Sequence, residues 1–160
     1  MIKDDYIRAV KRNNQRIYKI ALSYLNNHYD AEDVMQSVFL KLWKTDKEFN
    51  NDEHIDKWLT ITCINKCKDH FKLCFVKNTV SPDDVKEYYT FDSTEKIDIF
   101  NSIMSLPRKE RVVVHLFYGE DMSIDEISKV INANPNTVKT RLKRARNRLK
   151  TLLGDDWIDE

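Results

Sequence analysis

The sequence predicts an all-α protein: two small helical domains joined by a flexible linker. Three observations carry this expectation. Apolar residues recur at helical spacing over several long stretches. Glycine and proline are scarce, two and three in 160 residues, which argues against a loop-rich all-β fold. Between the helical stretches, residues 76–94 lose that periodicity and include Asn78-Thr79-Val80-Ser81-Pro82-Asp83-Asp84. The expected domains are 1–75 and 95–153, with the linker 76–94 between them and an acidic tail at 154–160. Domains of that size bury thin cores.

The first helix is expected over residues 4–26, with Asp4 and Asp5 suiting its positive end. Val10, Ile17, Ile20, Ala21, Tyr24 and Leu25 form its apolar stripe. Asn26-Asn27-His28-Tyr29 breaks it, and Asp30 is expected to cap a second helix at 31–44. Val34, Val38 and Leu42 line one face there. Phe39 and Trp43, four apart, widen the apolar surface beyond one stripe. Core packing and a partner-facing surface are both open readings of that width.

Residues 49–54 are polar and loop-like, and a third helix is expected over 56–75. Trp58, Leu59, Ile61 and Ile64 supply apolar surface. Asn65, Lys68, Asp69 and Lys72 share a polar face, with Lys66 and Lys77 adding charge. Aromatics beside amides and lysines suit contact with single-stranded nucleic acid, although a solvated helix face looks the same. Cys63, Cys67, His70 and Cys74 fall on one stripe of this helix. Four ligands spread over about 16 Å of helix cannot all reach one ion. Core packing is therefore the expected role, since buried cysteine behaves as a small apolar residue. No metal site, cofactor or structural disulfide is expected.

In the second half, Ser93 or Thr94 can cap a helix that turns Ile97, Phe100, Ile103 and Met104 inward. Leu106-Pro107 ends it. The next helix, at 108–118, packs Val112, Val113, Leu116 and Phe117, and Gly119 stops it. Ser123 with Glu126 three residues on is a capping box, so another helix starts there. Its apolar face holds Ile124, Ile127, Val130 and Ile131. Asn132-Ala133-Asn134 is a short turn; Asn134 can cap and Pro135 can open the last helix. That helix turns Val138, Leu142, Ala145 and Leu149 inward. Its other faces carry Lys139, Arg141, Lys143, Arg144, Arg146, Arg148 and Lys150, with no acid among them.

Two short helices around a tight turn, the second basic, form a helix-turn-helix. Its cations can bind phosphates and release counterions. Polar side chains near the start of the second helix, chiefly Asn136, Lys139, Thr140 and Lys143, can reach base edges. Net charge is only +1, so the molecule is no generic polycation. Its charge is segregated, with acids gathered over 83–98 and bases near the C-terminal end, as localised nucleic-acid binding requires. No apolar run approaches a membrane span of about 20 residues, and Met-Ile-Lys-Asp-Asp-Tyr is not a signal peptide. The expected location is cytoplasmic, without membrane insertion. No nucleophile–base set, phosphate loop or metal motif points to an enzyme, so no catalytic residue is expected.

Three motifs in order resemble the extracytoplasmic-function sigma factors, the two-domain group of bacterial RNA polymerase sigma subunits. Asp30-Ala-Glu-Asp-Val-Met-Gln-Ser-Val-Phe-Leu-Lys-Leu-Trp43 resembles that family's Asp-Ala-Glu-Asp-Leu-x-Gln-Glu-x-Phe-x-x-x-Trp helix. Lys57-Trp-Leu-Thr-Ile-Thr-Cys-Ile-Asn65 resembles its Trp-Leu-x-x-Ile-Ala-x-Asn helix. Leu106-Pro-Arg-Lys-Glu-Arg111 and the stretch 123–149 resemble its Leu-Pro start and helix-turn-helix. Ser37 stands where an acid is usual, Ile64 where a base is common, and Asn132-Ala133-Asn134-Pro135-Asn136 replaces a Gly-Ile-Ser-x-Gly turn.

The resemblance implies a division of labour in promoter-specific transcription initiation. Asp33, Gln36, Phe39 and Trp43 match positions that dock on the clamp helices of the core polymerase largest subunit. The loop with Phe49 and Asn50, and the face of Asn65, Lys68, Asp69 and Lys72, match the reader of the −10 element, where a base is flipped and strand opening starts. Asn136, Thr137, Lys139, Thr140, Lys143 and Arg144 fall in the reader of the −35 element. The resemblance also implies an anti-sigma factor as partner. A stand-alone repressor using only the helix-turn-helix would leave the first domain unexplained and would need a dimer helix that the sequence lacks. A thiol or metal sensor built on the cysteine stripe would carry stoichiometric metal.

Overall fold

A computed structural model describes residues 1–76 and 94–154, with side chains described at 1–73 and 99–154. The chain divides into two units, Met1–Glu87 and Tyr88–Glu160, and the described residues contain helices and no strand. Residues 77–93 of the linker expected at 76–94, and the acids and Trp157 of the tail at 155–160, lie outside the described residues.

The first unit holds α1 (Lys3–Leu25), α2 (His28–Lys44) and α3 (Asp52–Val76). Ile17, Ile20 and Leu22 of α1, Val38 and Leu42 of α2, and Leu59 and Ile64 of α3 are buried in its core. Each such side chain contributes about 1.5–3 kcal/mol by leaving water. Asn26 takes the left-handed conformation, φ 50°, and its N–H bonds Leu22 O to close α1. The turn into α2 is tighter than the sequence predicts. Asn27, not Asp30, is the cap: its side chain accepts the Asp30 N–H at 3.0 Å, and the helix is already under way at His28. Asp30 instead sits in the first turn, where its charge meets the helix dipole.

α3 likewise begins one turn earlier than position 56. Asn51 Oδ1 accepts the His54 N–H at 2.8 Å, and Asp52 and Glu53 supply first-turn acids. Only the front of the predicted 49–54 loop is therefore loop. Cys63 and Cys67 are fully buried. Cys63 Sγ donates to Ile17 O at 3.6 Å, tying α3 to α1. The thiol of Cys67 is pushed well above its usual range by its hydrogen bond to Cys63 and by burial, so it stays protonated and packs as an apolar group. His70 lies 3.3 Å from Asp30 of α2. The side chain of Cys74 lies outside the described residues.

A polar seam also joins α1 to α3. Asn13, fully buried, donates to Ala9 O and to Asp56 Oδ1, each at 2.9 Å. Arg12 reaches the same carboxylate at 2.7 Å. Arg16 donates to Asn13 Oδ1, to Thr60 Oγ1 at 2.6 Å and to Asp56 O at 2.9 Å. Burial alone would raise the Asp56 pKa. Hydrogen bonds from Arg12 and Asn13, with the charges of Arg12 and Arg16, outweigh it and hold the carboxyl below its ordinary range.

The second unit holds α4 (Thr94–Met104), α5 (Arg108–Val114), a π-helical turn (His115–Gly119), α6 (Ile124–Ile131) and α7 (Pro135–Leu153). The proposed Ser93 cap and the side chains of Thr94 and Ile97 lie outside the described residues. Met104, Leu106, Val112, Val113, Leu116, Ile127, Val138, Leu142, Ala145 and Leu149 form the core, and Phe117 is half-buried. Buried Arg111 donates to Met104 O and Leu106 O at 3.3 and 3.2 Å, which closes the α4–α5 turn. The helix predicted at 108–118 changes to π winding at His115. Gly119 suits that turn because a Cβ there would lie 3.2 Å from the His115 ring.

Candidate functional site

Three surfaces collect the residues singled out by the sequence. The first is the outward side of α2. Asp33 and Gln36 are exposed, and Trp43 is 48% exposed. Phe39 is not on this surface: it is 7% exposed and packs in the core. Leu40, at 51%, takes the outward position instead. The reason is helical phase. Val34, Val38 and Leu42 set the inward direction, and Leu40 lies almost opposite it while Phe39 lies to the side. Reading phase from the buried stripe rather than pairing Phe39 with Trp43 would have found Leu40. Tyr29 is exposed at the start of the same helix. Tyr6 of α1 orients the far end: its ring meets Trp43 edge-on at 4.9 Å, and its hydroxyl donates to Phe39 O at 3.1 Å.

The second surface joins the α2–α3 loop to the outward face of α3. Phe49 is half-buried and stands edge-on to His54 at 5.2 Å and to Trp58 at 5.6 Å. Asn50 is exposed, and its backbone N–H donates to His54 Nδ1 at 3.2 Å. A cavity of about 630 Å³ opens beside the loop, lined in part by Asp5, Arg8, Phe49, Asn50 and Asp52. Along α3, Asn65, Asp69 and Lys72 are exposed and Lys68 is half-buried. Asn65, Lys68 and Lys72 share the outermost strip, and Asp69 lies toward its edge. Partial burial, and then the charge of Lys72 one turn away, hold the Lys68 ammonium below its usual pKa. An anion placed between these two lysines relieves their repulsion.

The third surface is the start of α7. The local sequence builds it as predicted. Ser123 and Glu126 form the reciprocal capping box at 3.1 and 3.3 Å. Asn132 takes the left-handed conformation, φ 58°, and Asn134 Oδ1 accepts the Asn136 N–H at 2.8 Å. Asn136, Lys139, Thr140, Lys143 and Arg144 are exposed, and Thr137 is half-buried. The Thr140 hydroxyl donates to Asn136 O at 2.9 Å, which leaves its oxygen as an acceptor. Farther along, two cations are engaged within the fold. Arg146 donates to Tyr118 Oη at 2.7 Å and lies over the Phe117 and Tyr118 rings. Arg148 pairs with buried Glu110 at 3.0 Å.

Comparison with known proteins places this architecture. Residues 9–72 match the family described as Sigma-70 region 2, and residues 97–149 match Sigma-70, region 4. Together they define a sigma subunit of RNA polymerase, acting in promoter-specific transcription initiation. The chain belongs to the extracytoplasmic-function group of the sigma-70 family. The RNA polymerase sigma factor SigV of Bacillus subtilis is 28% identical, over 87% of this chain and 85% of that one. The ECF RNA polymerase sigma factor SigW of the same species is also 28% identical, over 96% and 91%. Among solved structures, the sigma factor RpoE from Bartonella quintana, in complex with the anti-sigma factor NepR, has the same fold. Its TM-score is 0.74 at 22% identity, over 95% of this chain and 98% of that one. Among the described residues, no helix is long and apolar enough to cross a membrane.

Proposed function

We propose that the three surfaces divide the work of initiation. The outward side of α2, with Asp33, Gln36, Leu40 and Trp43, docks on the clamp helices of the core polymerase largest subunit. Phe39 supports that surface from within. The loop bearing Phe49 and Asn50, with Asn65, Lys68, Asp69 and Lys72, reads the −10 element. An unstacked base finds aromatic faces there and the lysines hold the strand's phosphates. Asn136, Thr137, Lys139, Thr140, Lys143 and Arg144 read the −35 element as duplex. The amides and hydroxyls supply base-edge contacts and the cations supply counterion release. In this reading residues 1–75 grip polymerase and open DNA, 76–94 span the two elements, 95–153 hold the upstream one, and 154–160 form a tail without an assigned role.

The observation that carries this reading is charge placement. A helix free of acids follows a tightly capped turn, while a separate amide-and-lysine face stands beside an aromatic loop in the other unit. The chain acts as a non-catalytic subunit in the cytoplasm. An anti-sigma factor is the proposed antagonist, supported by a fold relative solved with such a partner, RpoE with NepR. Run-off transcription from genomic fragments tests the proposal. Promoter-specific transcripts are expected only when the purified chain and core polymerase are both present. Tight operator binding by the chain alone, with no effect on polymerase, would replace it with a repressor.

A further inference from the structure

The segment Thr60-Ile61-Thr62 inverts the usual pattern of a buried helix. Both threonines are 6% exposed, whereas Ile61 is 46% exposed. Its sequence position among Trp58, Leu59 and Ile64 suggests packing, yet it turns away from the core. Thr60 is held inward by chemistry, because its hydroxyl donates to Asp56 O at 3.0 Å and accepts from Arg16 at 2.6 Å. That seam fixes the phase of α3 and leaves Ile61 outward. A single exposed isoleucine is ordinary on a protein surface. This one stands one turn before Asn65 and one turn after Lys57, in the strip that continues to Lys68 and Lys72. A local rule broken in the middle of a binding face is where function is expected.

Base edges carry one apolar group, the 5-methyl of thymine. A β-branched side chain on a helix has essentially one χ1 rotamer, so its methyls are presented without ordering cost. Polar neighbours on both sides would fix the strand while the isoleucine discriminates. We infer that Ile61 is a specificity-determining residue that selects a thymine in the −10 element by contact with its 5-methyl group. The inference rests on the −10 reading of this face proposed above and adds a base preference to it.

The test uses holoenzyme assembled from core polymerase and the full chain. A promoter is first recovered by transcription from a library randomised across the −10 element. Each thymine there is then replaced singly by deoxyuridine, which lacks the methyl, and open-complex formation is measured. With the natural chain, one position should lose about fourfold, the worth of one buried methyl. Ile61→Ala should abolish that loss at the same position, and Ile61→Val should retain it. The thymine-to-uracil ratio is taken within each protein, so any difference in active fraction cancels. Recovery of promoters without a −10 thymine, indifference of the natural chain to every replacement, or an equal loss in Ile61→Ala would each overturn the inference. Asn65→Ala with Lys68→Ala separates the two levels. If that variant fails to open promoters while Ile61 shows no coupling, the base preference falls and the −10 reading stands. If it opens promoters normally, both fall.

Discussion

Asn13 of α1 donates its side-chain amide to the Asp56 carboxylate of α3 across 2.9 Å, in a place where Asn13 has no access to water. Asn13 also bonds Ala9 O and accepts from Arg16, so truncating it breaks three contacts at once, although Asp56 keeps Arg12. Asn13→Ala is expected to destabilise the first unit by about 1–3 kcal/mol, the cost of losing buried hydrogen bonds to several partners. Urea unfolding followed by circular dichroism checks this, and a change within error would mean that water substitutes for the amide.

The same carboxylate sets an acid limit. Asp56 has a folded pKa below its ordinary 3.8, so the unfolded chain binds its proton first as pH falls. Its contribution is complete above the unfolded value and is lost as pH drops through the folded one. Between pH 5 and about pH 2.5, the urea midpoint of the natural chain should therefore fall more steeply than that of Asp56→Asn. Parallel curves would show that the seam does not titrate in this window.

Leu40 and Phe39 are adjacent in sequence and opposite in consequence. Leu40→Asp should leave the unfolding free energy within about 0.5 kcal/mol of the natural value, as surface changes do. It should weaken core polymerase binding at least tenfold. Phe39→Ala should destabilise the unit by about 3–5 kcal/mol through the cavity it leaves. Titration of labelled chain with core polymerase, beside denaturation, separates the two. Loss of affinity in Phe39→Ala at full stability would return Phe39 to the docking surface.

On α7, Lys139→Ala with Lys143→Ala should spare polymerase binding and abolish promoter selection. If each lysine neutralises one phosphate, the salt dependence of −35 duplex binding should flatten by about 2 in log–log slope. Equal loss of polymerase affinity would contradict the assigned separation of surfaces.

The turn into α7 was readable because it is local. Ser123, Glu126, Asn132, Asn134 and Pro135 each act within four residues, and each takes its expected role. The order of helices was readable for the same reason, since periodicity needs no partner. The seam was not: Asn13 and Asp56 are 43 residues apart, and neither is unusual on its own helix. The cap of α2 was placed three residues late because Asn27 and Asp30 are both good caps, and only the abrupt left-handed stop at Asn26 chooses between them. Phe39 matches a docking position by motif yet packs inward, and Ile61 turns outward among buried neighbours, because an apolar letter does not state its direction. On α3 that direction is set by Thr60 and Arg16, a contact between two helices.

Tyr118 and Glu110 tether Arg146 and Arg148 to the body of the second unit, whereas the side chains from Asn136 to Arg144 lie mostly exposed ahead of them. The far part of α7 is thus a mast stepped into the hull, and the near part is rigging that can be changed without disturbing it. If the exposed residues of that near part read the upstream element as proposed, changes at Asn136, Lys139, Thr140, Lys143 and Arg144 would retarget the protein to another set of genes at little loss of stability. Changes at Val138 or Leu142 between them, or at the tethered Arg146 and Arg148, would be paid in folding first.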